Sequence, residues 1–367
     1  MSSSSSSGGP GWSSCFKKGE KIILTYVKNA SVDSYDDNAG IDNFMILTKP
    51  VIKTESRPTW KRILKSYIGV DGVAKLAYVK PKALTYLRSL EGYDYQSSGE
   101  SAVASIGNYA FWTGGYYYSS GTVYSNAVSI YDVSLTKKTS STLPTALCHP
   151  AATHNGSYAV FAGGLINNSW STYTNAVTAF SKSMTRSTCS TLSYSASCIA
   201  AACLADTYAI FMGGKGASDA KYANVTAYSN SLSKSTCTSA SASRGWADAV
   251  SVGNYVIFAG GYNNGYLSNC DAYNKSLSKV TCSALSRPKY VMTCTSTGDY
   301  AFLAGGSSDD GLLTEVERYD KNLTKCTPLS LTIPRYSACG FTYDSNVYFM
   351  YGDGSSDDAE RIRTTAE

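Results

Sequence analysis

The stretch Tyr255-Val-Ile-Phe-Ala-Gly260-Gly261 decides the fold, because close copies of it recur along most of the chain. The other copies span residues 109–115, 158–164, 208–214 and 300–306, with a degenerate copy at 347–352. Their first glycines, at 114, 163, 213, 260, 305 and 352, lie 49, 50, 47, 45 and 47 residues apart. This period is typical of a four-stranded propeller blade and is longer than that of most helical repeats. Six copies therefore predict six blades.

Each repeat carries the signals of four strands. Glycine next to Asn or Asp, as in Gly253-Asn254, supplies the positive φ of a tight hairpin between the first two strands. The second strand runs into Gly-Gly, and the third alternates apolar and polar residues before an aromatic such as Tyr273. A polar turn and a fourth strand rich in Ser, Thr and Cys follow. The 31 glycines and 30 tyrosines, against two histidines, agree with a turn-rich all-β protein.

These features resemble the kelch repeat, in which an apolar strand ends in Gly-Gly and an aromatic follows about fifteen residues later. The resemblance covers roughly residues 92–367. It departs at the outer strand, where Thr, Ser or Cys stands in place of the usual tryptophan. The resemblance implies a divergent six-bladed kelch-like β-propeller.

The last repeat stops after its third strand, at residues 359–363. An unpaired sheet edge is a liability, and residues 83–90 have the length and alternation of a strand. We therefore expect this N-terminal strand to close the last blade. The predicted organisation is a disordered Ser/Gly-rich tail at 1–15, a small β-rich appendage or attachment arm at 16–80 and the propeller at 81–367.

Residues 60–75, which include Tyr67-Ile-Gly69-Val-Asp71-Gly72-Val-Ala-Lys75, resemble a short element of structural and tail-associated proteins of phages that infect Gram-positive bacteria. The resemblance implies a virion protein with an N-terminal arm that contacts other virion proteins. A simple hairpin with Asp71-Gly72 as its turn is an alternative interpretation, and the two are compatible.

Charge and cysteine content limit the classes of partner. Residues 1–90 contain 14 Lys and Arg against 7 Asp and Glu, but these charges are scattered, so we expect a solvated surface and no nucleic-acid partner. The start of the chain lacks the apolar core of a signal peptide, and no stretch is long enough to span a membrane. We expect synthesis in the cytoplasm. Three of the eleven cysteines, Cys189, Cys237 and Cys282, occupy one repeat register, so we expect reduced thiols.

Antiparallel strands place the loops after Gly-Gly and the blade-to-blade connections on one face, which we call the loop face. These loops are rich in Tyr, Trp and Arg, residue types that dominate binding surfaces. Arg244, Arg287 and Arg335 stand at matching places, where a role in tying blades together through carbonyl groups is an alternative. The residues predicted to bind a ligand are Tyr116, Tyr117, Tyr118, Trp170, Tyr173, Tyr222, Tyr262, Tyr266, Arg244, Trp246, Arg287, Tyr290, Arg335 and Tyr336.

Catalytic patterns are sparse, and we expect no catalytic residue, no cofactor and no metal site. His149 and His154 have no acid or nucleophile motif beside them, and two histidines cannot supply the multi-histidine copper site of kelch-fold radical oxidases. The acidic loops at 307–311 and 355–358 leave calcium binding as an alternative. Gly213-Gly-Lys-Gly216 lacks the strand-to-helix context of a phosphate loop.

The sequence thus favours a non-enzymatic binding module of a phage virion or tail, with a host surface glycan or another structural protein as its partner. One alternative is a sugar-acting enzyme similar to the kelch-fold sialate mutarotases, with Glu100 and Glu315 as candidate acids. The other is an intracellular protein-interaction scaffold.

Overall fold

The computed structural model describes residues 65–70, 73–79, 99–118, 121–133, 136–138, 141–166, 171–343, 346–350 and 359–363. These residues fall into two units, one within residues 1–88 and one within residues 89–367. The expected closing strand at 83–90, the Ser/Gly-rich tail and most of the appendage lie outside the described residues.

The first unit contributes one β-hairpin. Strand β1 (Lys65–Val70) pairs antiparallel with β2 (Val73–Val79), and the register shifts by one residue at Ser66/Tyr67. The last pair joins Val70 to Val73, so only residues 71 and 72 separate the strands. A two-residue connection is what the Asp71-Gly72 signal predicts.

The second unit is an all-β propeller of six blades, as the six Gly-bearing copies predict. The strands of blades one to three are β3 (Gly99–Ile106), β4 (Tyr109–Tyr118), β5 (Thr122–Tyr124), β6 (Val128–Asp132), β7 (Lys137–Lys138), β8 (Ala151–His154), β9 (Tyr158–Ala162), β10 (Val177–Ser181), β11 (Arg186–Thr188), β12 (Ala200–Leu204), β13 (Tyr208–Met212), β14 (Val225–Ser229) and β15 (Lys234–Cys237). Those of blades four to six are β16 (Asp248–Val252), β17 (Tyr255–Ala259), β18 (Cys270–Asn274), β19 (Lys279–Val280), β20 (Thr293–Ser296), β21 (Tyr300–Ala304), β22 (Ser307–Ser308), β23 (Gly311–Leu312), β24 (Glu315–Asp320), β25 (Leu329–Ser330), β26 (Cys339–Tyr343), β27 (Asn346–Met350) and β28 (Ala359–Arg363).

Within each blade the main strands pair antiparallel in chain order, as in β12-β13-β14-β15 and β16-β17-β18-β19. The last blade has three described strands, β26-β27-β28. The first strands of consecutive blades contact one another from β3 through β8, β12, β16 and β20 to β26, so they form the inner layer of the propeller. Val252 pairs with Tyr255, and Gly253 between them has a φ of 54°, which confirms the predicted hairpin turn.

Neighbouring blades pack through apolar faces, and tyrosines of the third strands add hydrogen bonds between the blades. One core cluster joins Ile210 and Met212 of blade three to Phe258 and Tyr273 of blade four, all fully buried. The Tyr273 hydroxyl donates a hydrogen bond of 2.7 Å to the carbonyl of Thr238 in the preceding blade. Tyr228 and Tyr319 make equivalent bonds to Ser190 and Ser283, of 2.7 and 2.9 Å. The repeat aromatic therefore holds blade to blade, and its buried hydroxyl is satisfied.

The Gly-Gly pairs are required because two connecting segments press on them from either side. A Cβ atom on Gly213 would lie 2.5 Å from the carbonyl oxygen of Arg244, in the connection to the next blade. A Cβ atom on Gly214 would lie 2.7 Å from the carbonyl oxygen of Ser197, in the connection from the preceding blade. Both glycines have positive φ, of 69° and 113°. Neither space nor backbone conformation admits a side chain.

All ten cysteines among the described residues are free thiols, as the repeat register predicts. The described residues contain no helix with the length and hydropathy needed to cross a membrane. Their one helical segment is a single 3-10 turn at Ala217–Asp219.

Replacement of Gly214 by alanine is expected to lower the free energy of unfolding by at least about 2 kcal/mol, because it adds backbone strain at positive φ and a clash with the Ser197 carbonyl. The matched control is Gly265→Ala, since Gly265 lies in the neighbouring blade's loop, where a Cβ atom would have no neighbour within 4 Å. Urea unfolding of the two variants measures the difference. Equal midpoints for both would contradict the close-approach explanation.

Candidate functional site

The loops after Gly-Gly and the blade-to-blade connections meet at one end of the propeller, as predicted for the loop face. Backbone bridges join the two kinds of loop: Gly245 pairs with Tyr262, and Tyr290 pairs with Ser307. A further bridge joins Tyr262 to Tyr266 and closes the blade-four loop on itself. Side chains from separate blades are thereby fixed next to one another.

Five residues of the connections form a set that we call the collar. Each adopts left-handed backbone geometry, with φ between 50° and 53°, although none is glycine: His149, Cys198, Trp246, Val291 and Ser337. The N–H of Trp246 donates to the carbonyl of Cys198 at 3.1 Å, Val291 donates to Trp246 at 3.3 Å, and Ser337 donates to Val291 at 3.3 Å. These bonds link successive blades around the loop face. Left-handed non-glycine residues carry a backbone cost of about 1–2 kcal/mol each, so the surrounding structure must impose this geometry.

An open depression with a volume of about 640 Å³ lies on the loop face. It is lined by His149, Asp219, Lys221, Trp246, Tyr262, Tyr266, Tyr290, Val291, Tyr336 and Ser337. Four of these residues belong to the collar. Its size is in the range of small-molecule binding sites.

Four aromatic rings from three different loops form a cluster in this depression, which we call the aromatic cluster. Trp246 lies edge-on to Tyr262 at a centroid distance of 6.4 Å, and Tyr262 lies edge-on to Tyr266 at 5.6 Å. Tyr290, from the next connection, completes the cluster at 5.2 Å from Tyr266 and 6.0 Å from Tyr262. Mutual packing at these distances and angles is favourable for aromatic rings and keeps them in place before any ligand arrives.

Two ammonium groups lie over the Trp246 ring. The Nζ atoms of Lys215 and Lys221 are 5.3 and 5.5 Å from the ring centroid, within cation–π range. Both also pair with the Asp219 carboxylate, at 3.1 and 2.8 Å. Hydrogen bonds from Lys221 and Lys215 lower the pKa of Asp219, so this carboxylate is ionised at neutral pH.

The hydroxyl of Tyr290 stays protonated at neutral pH. Loss of solvent, with smaller contributions from Tyr266 and Tyr262, raises the pKa of Tyr290 above its ordinary value. A neutral phenol both donates and accepts hydrogen bonds. The depression thus offers ring faces, hydroxyl groups and one charged Lys–Asp group within a single surface.

Five residues predicted from the sequence line this depression: Trp246, Tyr262, Tyr266, Tyr290 and Tyr336. Four other lining residues, Asp219, Lys221, Val291 and Ser337, carry no sequence signal for binding. Asp219 and Lys221 belong to a polar loop without any repeat register, and Val291 and Ser337 contribute through backbone geometry that a sequence pattern does not reveal.

The predicted arginines do not line the depression. Arg244 and Arg335 are buried, with 0% and 1% of their surface exposed. Arg287 instead forms ion pairs with Asp310 and Glu315, each at 2.7 Å. The first of these pairs engages one carboxylate of the acidic loop at 307–311, while the acidic loop at 355–358 lies outside the described residues.

The other predicted tyrosines have structural contacts. Tyr222 stacks on the buried Tyr194 at 4.5 Å, and Tyr116 packs against the cluster of Tyr124, Cys148 and Leu165. Tyr173 packs against that same cluster, and burial raises its pKa. Trp170 and the side chains of Tyr117 and Tyr118 lie outside what the structure describes.

Arg287 does not occupy the same repeat position as Arg244 and Arg335, contrary to the prediction. In blades two to five, the N–H of the second glycine of the Gly-Gly pair donates to a backbone carbonyl in the connection that follows the blade. That carbonyl belongs in turn to Ala196, Arg244, Lys289 and Arg335, so Lys289 is the residue equivalent to the two arginines. Arg244 pairs with the buried Asp271 of β18 at 2.7 Å, and Lys289 lies 3.7 Å from the buried Glu317 of β24. In blade three the equivalent residues are the neutral Ala196 and Thr226. Where the connection carries a buried cation, the third strand of the next blade therefore carries a buried carboxylate.

Burial alone would raise the pKa of Asp271, but hydrogen bonds and charge from Lys279 and Arg244 outweigh it and hold the pKa below its ordinary value. Ionised Asp271 accepts further hydrogen bonds from the backbone N–H and hydroxyl of Ser241, at 2.9 and 3.0 Å. The alternative that these basic residues tie the blades together, rather than bind a ligand, is therefore supported for Arg244.

No protein-family model matches the chain, and a search of the curated proteins finds no significant match.

Replacement of Arg244 by alanine is expected to lower the free energy of unfolding by about 2–3 kcal/mol, because it removes the fully buried cation of Asp271 and leaves Lys279, at 2.6 Å, to balance that carboxylate alone. The double variant Arg244→Ala/Asp271→Thr copies the neutral pair of blade three and should recover most of that loss. Urea unfolding measures both. Equal destabilisation of the single and double variants would contradict the pairing.

The dependence of folding stability on pH gives a second test of the Arg244–Asp271 pair. The pKa of Asp271 is lower in the folded protein than in the unfolded chain, so its contribution is fully present above about pH 4 and is lost as pH falls through the folded value. The double variant lacks this contribution. Its stability should therefore fall less steeply on acidification than that of the natural chain.

Proposed function

We propose that this chain is a divergent kelch-like propeller that serves as a non-enzymatic binding module of a phage virion or tail. Its partner is a glycan of the host surface, bound in the depression on the loop face. The aromatic cluster in that depression is the single observation that carries the proposal.

The chemistry of the depression suits a carbohydrate. Sugar rings present apolar C–H faces and a rim of hydroxyls, and aromatic residues with a polar tip match both features. Trp246, Tyr262, Tyr266 and Tyr290 supply large contact areas at low cost in side-chain entropy. Asp219 and Lys221 add an acceptor and a donor at the margin, and Lys215 brings the net charge of this group to +1, which suits a neutral or weakly acidic glycan.

The context of a virion rests on the N-terminal element. The hairpin of β1 and β2 carries the short stretch that resembles tail-associated phage proteins. In such a protein the N-terminal arm is the attachment side that contacts other virion proteins, and the loop face is left for the host. A structural protein is the competing candidate for the partner of the loop face.

An enzymatic role has little support among the described residues. The Glu315 carboxylate pairs with Arg287 at 2.7 Å and lies 3.7 Å from Lys289, so it belongs to a structural ion-pair network. The one carboxylate that lines the depression, Asp219, is paired with two lysines. Neither arrangement leaves the carboxylate unpaired for contact with a sugar substrate.

Binding of the full chain to an array of bacterial surface glycans tests the proposal. Tyr262→Ala and Tyr290→Ala are each expected to weaken binding about tenfold, since central aromatic anchors contribute more than about 1 kcal/mol. Tyr290→Phe retains the ring and should keep most of the affinity. Val133→Ala, just after the third strand of blade one, truncates an exposed apolar side chain outside the depression and serves as the control.

Three results would count against the proposal. Binding that responds equally to Val133→Ala and Tyr262→Ala would show that the depression is not the binding site. Binding to purified virion proteins but to no glycan would replace the partner. Mutarotation or hydrolysis of a free sugar by the purified chain would contradict a non-enzymatic role.

A further inference from the structure

A second group of polar side chains lies away from the loop face, on the strands and hairpin turns of blades two and three. It consists of His154, the last residue of β8, with Cys203 in β12 and Asp206 in the turn that follows. Asp206 Oδ1 is 3.7 Å from His154 Nδ1 and 3.7 Å from Cys203 Sγ. One ligand atom from each of the three residues lies within 4.8 Å of the others.

The fold brings these residues together by close contact of two turns. A Cβ atom on Gly156, in the blade-two turn, would collide with the carbonyl oxygen of Asp206. The blade-three turn departs from the repeat because Ala205 and Asp206 take the left-handed conformation, with φ of 50° and 53°. Glycine is present in the turns of its neighbours, at Gly156 and Gly253. A strained turn without glycine points to a role for the side chain that it positions.

Two acceptor atoms face each other in this group. The Gly156 N–H donates to His154 Nδ1 over a long 3.3 Å, so that nitrogen is an unprotonated acceptor. It faces the Asp206 carboxylate, a second acceptor, at 3.7 Å. The Cys203 thiol donates to the same carboxylate oxygen, so the three ligand atoms converge.

We propose that His154 Nδ1, Cys203 Sγ and an Asp206 carboxylate oxygen bind a divalent transition metal ion of the Zn²⁺ type. Nitrogen, thiolate sulfur and carboxylate oxygen are the ligand atoms of zinc sites, and adjacent ligands of a tetrahedral ion lie about 3.5 Å apart. The two 3.7 Å separations are therefore close to those of a bound ion. On binding, His154 Nδ1 gives up its long hydrogen bond from the Gly156 N–H, and the Cys203 thiol releases its proton to solvent. The thiolate and carboxylate together balance the charge of the ion.

The ion has two consequences for the propeller. His154 belongs to blade two and Cys203 to blade three, so the ion crosslinks neighbouring blades. A depression of about 330 Å³, lined in part by His154, Lys182 and Asp206, adjoins the group. Three protein ligands leave a fourth position for water or for an anionic group of a ligand in this depression, as in zinc sites with an open coordination position.

Co²⁺, a spectroscopic substitute for Zn²⁺, tests this site on the full chain after treatment with a chelator. We expect one equivalent to bind with tetrahedral ligand-field absorption and a thiolate-to-cobalt charge-transfer band. Cys203→Ser should abolish the charge-transfer band, and His154→Ala and Asp206→Asn should each weaken Zn²⁺ binding at least about tenfold in calorimetric titration. Zn²⁺ should also raise the melting temperature of the natural chain.

The controls are Asp299→Asn, which removes an exposed carboxylate of the blade-five hairpin turn, and Cys339→Ser, which removes an exposed thiol. Both should bind as the natural chain does. Circular dichroism and the melting temperature of the metal-free variants establish that each is folded. Absence of binding by the natural chain, a charge-transfer band that persists in Cys203→Ser, or an equal loss in Asp299→Asn would overturn the proposal.

Discussion

Two carbonyl oxygens press on the Gly-Gly pair in each of blades two to five, and the propeller depends on that contact. In blade three, Gly213 meets the carbonyl of Arg244 and Gly214 meets that of Ser197, so one pair of glycines fixes the connections on both of its sides. The N–H of Gly214 donates to the Arg244 carbonyl at 2.8 Å, which adds a hydrogen bond to the close approach. Repetition of this contact in blades two to five sets the positions of the connections that join them. Each left-handed collar residue comes two residues after the one whose carbonyl oxygen contacts the first glycine of a Gly-Gly pair.

The contacts at the Gly-Gly pairs fix the backbone of the propeller, while the side chains on the loop face can vary. Backbone contacts and buried tyrosines hold neighbouring blades together, and charged pairs such as Arg244–Asp271 replace neutral pairs where the connection carries a cation. The side chains at the collar positions are free to differ, because their backbone is fixed by hydrogen bonds to the next blade. Trp246 occupies one such position and anchors the aromatic cluster. The residues proposed to bind the ligand therefore lie on rigid elements, which is the arrangement that favours specific binding.

Much of the fold could be predicted from the sequence, because glycine spacing, hairpin turns and third-strand aromatics each report on a local requirement. The loop face and five of its lining residues followed from strand order alone. Other features depended on contacts between distant residues. Arg244 is 27 residues from Asp271, so its burial was not visible, and Arg287 was placed in a register that belongs to Lys289. Similarly, His154 and Cys203 meet only because the turns of two blades touch.

Hydroxyl-radical footprinting of the full chain, with and without purified cell-wall polysaccharide from Gram-positive bacteria, tests the central claim most directly. That claim is that the repeat forms the scaffold and the aromatic cluster forms the binding site. Bound polysaccharide is expected to protect Trp246, Tyr262, Tyr266 and Tyr290 from oxidation and to leave Tyr131 and Tyr348 unchanged. Protection confined to the hairpin turns between first and second strands, or no protection of the aromatic cluster at saturating polysaccharide, would contradict it.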